Sequence, residues 1–196
     1  MAASGTPAVL RSERLILRPW RDGDLPAMAR MNADPHVMEF MPAILDRPAS
    51  DAMVTRLQCH IEEQGFGFWA VEAPGVADFI GFVGLNRPGF AAPFMPCVEI
   101  GWRLLHEFWG LGYATEAAGA ALRHGFTDIG LSEIVSFTAA VNQRSWRVMQ
   151  RLGMRHYRAE DFDHPALPAG DPLRRHVLYR LGRDRWLRLA GGDAEG

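Results

Sequence analysis

The sequence predicts a single α/β (α+β) domain with a mixed, mostly antiparallel central sheet of about six or seven strands and about four flanking helices. Three observations lead there. Residues 66–72 (FGFWAVE) and 79–85 (FIGFVGL) are strand-like runs joined by the turn-rich residues 73–78, a hairpin-type connection that makes antiparallel neighbours. Residues 98–104 repeat with a period of two, Val98, Ile100, Trp102 and Leu104 alternating with Glu99, Gly101 and Arg103, which puts one set of side chains on each sheet face. The period then changes. Small or apolar residues recur at Ala117, Ala118, Ala121, Leu122, Gly125 and Phe126, a helical spacing with a face narrow enough to pack closely on a sheet.

In chain order, residues 14–20 (RLILRPW) form the first strand, and Asp22, Gly23 and Asp24 supply a turn and a helix cap. Residues 25–31 make the first helix, which Asp34-Pro35 interrupts. Residues 36–41 continue as a short segment, and Pro42 and Pro48 bound a loop. A second helix then covers residues 50–64, with Met53, Val54, Leu57 and Ile61 on one side and Gly65 ending it. After the hairpin, residues 87–96 carry three prolines and lead into the strand at 98–104. Gly130 stops the following helix, residues 133–140 alternate as another strand, and Asn142 caps a helix that Gly153 ends. Residues 154–159 read as a strand and residues 161–172, with three prolines, as a loop. Residues 176–181 read as the closing strand and 184–189 as a last helical turn. The domain is expected over residues 11–189, with flexible ends at 1–10 and 190–196.

Composition removes several classes of function. At 196 residues and 48% hydrophobic content, the chain can bury a sizeable core in one domain. A net charge of −2 gives no support for nucleic-acid binding. All 21 basic residues are arginine, so neither a lysine Schiff base nor a P-loop lysine is available. Two distant cysteines, no signal-peptide pattern and no apolar run of about 18 residues point to a soluble, cytoplasmic protein with no membrane contact. The seven histidines show no metal-ligand spacing, so no metal is expected.

The chemistry concentrates between the strand at 98–104 and the helix after it. Trp109-Gly110-Leu111-Gly112-Tyr113-Ala114 offers few side chains to cover the unpaired N–H groups of the helix's first turn. Those groups and the helix dipole make a site for an anion such as phosphate. Gly110-x-Gly112 matches the start of a dinucleotide-binding G-x-G-x-x-G, but Thr115 stands at its third position and the strands upstream form hairpins rather than a βαβ unit. Another pyrophosphate compound is the alternative ligand.

The block Glu99-Ile-Gly-Trp-Arg-Leu104, followed by Trp109-Gly-Leu-Gly-Tyr-Ala-Thr-Glu-Ala117, Asn142-Gln-Arg-Ser145 and Leu152-Gly-Met154, resembles the GNAT acetyltransferase superfamily. Within it, the likeness is to the branch of the Rim-type ribosomal-protein N-terminal acetyltransferases. It extends in element order from about residue 11 to 181. The resemblance implies that the strand at 99–104 splays from its neighbour and pairs its backbone, near Trp102, Arg103 and Leu104, with the pantetheine arm of acetyl-CoA. It implies that Trp109, Gly110, Leu111, Gly112, Tyr113, Ala114 and Thr115 hold the pyrophosphate through backbone N–H groups, with Trp109 in place of the family's Gln or Arg. Asn142 matches an asparagine that contacts the pantetheine arm, and dimers are common in the family.

The implied reaction is direct attack of an amine on the thioester in a ternary complex. It needs a neutral amine, a polarised carbonyl and a proton for the leaving thiolate. A free N–H of the splayed strand is the candidate oxyanion donor. Glu99, beside the expected acetyl site, is the candidate base; its alternative role is a strand-face carboxylate paired with Arg103. Many family members use a tyrosine as acid at the position of Met149, which cannot donate. Ser145 is the candidate substitute, against an ordinary capping-turn role, and Tyr113 and Tyr179 are weaker reserves. An α-amine, with a pKa of roughly 7.7–8.0, is already partly neutral, whereas a lysine near 10.4 needs about 4 kcal/mol to reach that state. The expected acceptor is therefore a protein or peptide N-terminal α-amine. A small-molecule amine (amino acid, polyamine, aminoglycoside) and a non-catalytic acyl-CoA-binding module are the alternatives. Acceptor choice is expected to lie with residues 35–48, 87–96 and 161–172, whose carboxylates would attract a cationic amine.

Overall fold

The computed structural model describes residues 8–191. These hold nine strands and six α-helices, more of each than the alternation in the sequence discloses. The surplus strands are short: β1 (Leu10–Arg11), β7 (Arg155–His156) and β8 (Phe162–Asp163) have two residues each, too few for a period of two to register. The expectation of flexible ends falls mostly on residues outside the described ones, although Leu10 pairs in β1 and Ala190 belongs to the last helix.

The chain divides into two units. The first comprises residues up to 86 together with 101–121. Here β2 (Ile16–Arg18), β3 (Phe68–Ala73) and β4 (Ala77–Asn86) continue from β1 as antiparallel neighbours, as the hairpin reading requires. The C-terminal part of β5 (Glu99–Leu104) lies next to β4. Gly81 makes that approach possible, because a Cβ there would fall on the carbonyl of Arg103. Trp69, Leu17, Ile80 and Leu85 are fully buried in this unit.

Its helices are α1 (Leu25–Ala33), α2 (Pro35–Met38) and α3 (Arg47–Gln64). The last begins three residues before the expected start at 50. Asp46 caps it by accepting from the Ala49 N–H at 2.9 Å, and Pro48 lies in its first turn, where a missing N–H costs nothing. The expected loop between Pro42 and Pro48 is thus partly helix. Arg18 ties the unit together. Its Nη atoms donate to both Asp24 oxygens at 2.8 Å, its Nε to Glu72 at 2.8 Å, and further bonds reach the carbonyls of Pro19 and Asp78.

The second unit comprises residues 87–100 and the chain from 122. The start of β5 pairs in parallel with β6 (Glu133–Ala139) at Glu99↔Val135, and β6 pairs antiparallel with β9 (Arg175–Gly182) over seven register positions. β7 and β8 both pair with β9. The expected strand at 154–159 shrinks to β7 because a 3-10 turn at Arg158–Glu160 follows it. Helix α4 (Tyr113–Thr127) runs from the first unit into this one, α5 (Gln143–Arg151) follows β6, and α6 (Arg183–Ala190) is a full helix rather than a single turn. No helix among the described residues is long and apolar enough to cross a membrane.

Candidate active site

The glycine turn adopts the form the sequence suggests. Gly110 and Gly112 have φ of 76° and 83°, left-handed values that disfavour any side chain, and nothing lies within 4 Å of where a Cβ on Gly110 would stand. The first backbone bond of α4 runs from the Glu116 N–H to the Gly112 carbonyl at 3.0 Å. The amides of Tyr113, Ala114 and Thr115 therefore precede any helical acceptor, and they form the cradle a pyrophosphate needs. A diphosphate ester fits this open, Cβ-free turn.

Two side chains hold the turn, and one of them carries no local signal in the sequence. Arg14 donates to the Leu111 carbonyl at 3.2 Å and lies 4.7 Å from the centroid of the Tyr113 ring. Its Nε and backbone N–H both bond Glu116 at 2.7 Å, and the Ser12 hydroxyl donates to the same carboxylate. Burial alone would raise the Glu116 pKa, but the bonds from Arg14 and Ser12 outweigh it and hold the carboxyl below the usual range. The second tie is Trp109, whose indole N–H donates to the Leu104 carbonyl at 2.9 Å. Tryptophan at this position thus fastens the end of β5 to the turn.

On β5, Arg103 directs its guanidinium to α1 and to the segment after α2. It donates to Asn32 Oδ1 at 2.8 Å and to Met41 Sδ at 2.8 Å, over the ring of Phe82 at 5.2 Å. No ion pair of Arg103 occurs among the described residues, and burial lowers its pKa to about 10. Trp102 is half-buried and Leu104 buried.

In the second unit, Glu99 stands level with Val135 on β6, and the next carbonyl, of Ile100, accepts from the Ser136 hydroxyl at 2.9 Å. Asn142 caps α5 as expected, accepting from the Ser145 N–H at 3.2 Å. Its amide nitrogen donates to Thr138 Oγ1 and to Ser145 Oγ, both at 3.0 Å. Both N–H bonds of that amide are spent inside the protein, which leaves a lone pair on Oδ1 for a donor arm. Ser145 Oγ, as the acceptor in this bond, keeps its own proton to give. Alternation along β6 puts Val135 and Thr138 on opposite faces, about 10 Å apart. Glu99 and the Asn142–Ser145 pair are therefore attached on opposite faces of β6. Met149 is buried in the core, Tyr113 is buried beneath Arg14, and Tyr179 is buried and stacked on His156 at 4.8 Å. Arg144, Arg147 and Arg151 line an exposed side of α5.

The segments 87–96 and 161–172 differ from the acidic surface expected of them. Asp163 pairs with Arg174 and Arg175 at 3.3 and 3.4 Å, and Asp161 bonds His156 at 2.8 Å, so these carboxylates already have partners within the chain. The segments meet instead through rings, Phe90 with His164 at 4.7 Å and Phe94 with Phe162 at 4.9 Å, and rest on Phe137 of β6 and His176 of β9. Burial pushes the pKa of both histidines down. Cys97, with its thiol pushed up to about 11 by burial and then by Glu99, is no nucleophile. No group of three or more metal-ligating side chains occurs among the described residues.

The turn and its tethers suit a donor that carries a diphosphate, and the family comparison names an acyl-CoA-dependent transferase. The acetyltransferase (GNAT) domain model matches residues 14–155, and the chain belongs to that family. It is an acetyl-CoA-dependent N-acetyltransferase. Among its relatives, an FsC-acetyl coenzyme A-N(2)-transacetylase of Aspergillus fumigatus is 28% identical over 92% of this chain and 78% of its own length. A crystal structure of an acetyltransferase from Agrobacterium tumefaciens is 29% identical with a TM-score of 0.70, covering 89% of this chain and 94% of that one. A Mycobacterium smegmatis RimJ in complex with CoA-disulfide shares the fold at 22% identity with a TM-score of 0.71, covering 96% of this chain and 97% of its own.

Proposed function

We propose that residues 11–189 form one catalytic domain that moves the acetyl group of acetyl-CoA to an α-amine, first of all that of a protein or peptide N-terminus, in a cytoplasmic setting. The observation that carries the donor half is the Cβ-free turn at Gly110 and Gly112, opening onto the unpaired amides of Tyr113, Ala114 and Thr115. The amine nitrogen attacks the thioester carbon and the C–S bond breaks. The amine's proton leaves to Glu99, directly or through water, and Ser145 or its water protonates the departing thiolate. The division of labour is chemical: the nitrogen that loses a proton and the sulfur that gains one are different substituents of the tetrahedral carbon. Support for the acceptor is chemical: an α-amine needs little help to become neutral. The Rim-like branch supports a peptide acceptor. The transacetylase relative favours a second reading, a small-molecule amine.

The test is acetyl-CoA-dependent release of free thiol with a panel of peptides and small amines, using wild type, Glu99→Gln and Ser145→Ala. Turnover that both substitutions depress supports the proposal. Tight CoA binding without turnover on any amine reduces the chain to an acyl-CoA-binding module.

A further inference from the structure

Two arginines of the first unit are drawn away from water, Arg18 wholly and Arg103 in part, and they are satisfied differently. Arg18 has bonds for every part of its guanidinium and two carboxylates against it. Arg103 has one amide oxygen, one thioether and one ring face. Of its five N–H groups, two are engaged by atoms of the described residues, and one of those two bonds goes to sulfur, a weak acceptor. Since its pKa falls only to about 10, the group stays charged at neutral pH.

A partly desolvated cation without a counter-ion is unfavourable unless a ligand brings the charge that the protein lacks. The position is held rather than loose. Asn32 is fully buried, its amide nitrogen donates to Ser50 Oγ at 2.9 Å, and its oxygen is thereby aimed at Arg103. Met41 lies in the segment 35–48, where acceptor choice is expected, and the Leu45 N–H bonds the Asn32 carbonyl at 3.0 Å, tying that segment to α1. The donor's phosphates have their own cradle at the start of α4.

We infer that the free fork of Arg103, presented between Asn32 and Met41, binds a carboxylate of the acceptor. The planar fork and a carboxylate match in a bidentate pair. The acceptor class is then an amine that carries a carboxylate, either a free amino acid or a peptide with an acidic residue behind its α-amine. This rests on the acetyltransferase reading, and it narrows that reading against polyamines, which carry no negative group.

The test needs no turnover. N-acetyl-L-alanine and N-acetyl-L-alaninamide are product-like probes that differ by one carboxylate, and their binding in the presence of CoA is measured by calorimetry. The wild type should bind the acid at least about tenfold tighter, within the range of charge-assisted bonds, and Arg103→Gln should bring the ratio to about one. A merely structural role would move both probes together and leave the ratio unchanged. Asn32→Asp is the second variant: it supplies the missing counter-charge from inside the protein and should likewise erase the preference for the acid, whether or not Arg103→Gln folds. Equal binding of acid and amide by the wild type, binding of neither, or a preference that survives Asn32→Asp would overturn the inference. Turnover of L-alanine against L-alaninamide, and of amidated Ala-Glu against amidated Ala-Gln, then separates the free amino acid from the acidic peptide. Failure of every amine to turn over would strike the acetyltransferase reading alone, because the binding ratio is read independently.

Discussion

Arg18 and Arg103 lie in the same unit of one chain, and the contrast between them separates a structural cation from a functional one. Arg18 lies between Asp24 and Glu72, and the bonds from Asp24 raise its pKa despite burial. Arg103 has no such partner among the described residues, and burial lowers its pKa. An arginine whose every donor is satisfied within the protein has nothing left for a ligand, whereas one left short can discriminate between ligands. Glu116 belongs with Arg18: Ser12 and Arg14 hold it, and it positions the turn.

The largest effect expected from breaking this contrast is on Arg18. Arg18→Met leaves Asp24 buried without its cation and takes from the half-buried Glu72 one of its two arginines, and should cost about 3–5 kcal/mol in urea unfolding. Arg103→Met, by the same measurement, should cost less, about 1–2 kcal/mol, because it strands the buried Asn32 oxygen but no carboxylate among the described residues. A loss at Arg103 as large as at Arg18 would abolish the distinction. Glu99→Gln comes next and acts on catalysis: kcat/KM for a peptide amine should fall about 100-fold at pH 7, in the ordinary range for a general base. The deficit should shrink as pH approaches the amine's own pKa of roughly 8. A deficit independent of pH would mean that Glu99 positions rather than deprotonates.

Gly110→Ala places a Cβ at φ 76° and should cost about 1–2 kcal/mol, with a raised KM for acetyl-CoA as the readout. The smallest effect is on pH-dependent stability. Burial depresses the folded pKa of His164 and His176, so below roughly pH 6.5 the unfolded chain binds more protons than the folded one. Stability from these groups is complete above that pH and declines as pH falls toward their folded values. Thermal melts between pH 7 and 5 should show the decline, and His176→Phe should flatten it.

The glycine turn, the hairpin and the Asn142 cap were legible because each is written in adjacent residues: a change of period, paired glycines, a capping side chain. The start of α3 was not, since Pro48 serves equally as a loop boundary and as a first-turn residue, and only the bond from Ala49 to Asp46 decides. The two-residue strands were too short to show alternation. Arg14 and Arg103 escaped for a different reason. Their roles depend on Glu116, about a hundred positions away, and on Asn32, about seventy away, and no local spacing encodes such pairs. Residues 161–172 looked acidic because the arginines and the histidine that bond Asp163 and Asp161 come from outside that stretch.

The most direct measurement follows both products of one reaction mixture, free thiol and acetylated amine, as acetyl-CoA is supplied with a peptide bearing a free α-amine. Transfer to that amine predicts one acetylated amine for each thiol released, with no release when the amine is omitted. Thiol release that ignores the amine, or no release with any amine while CoA still binds, would contradict it.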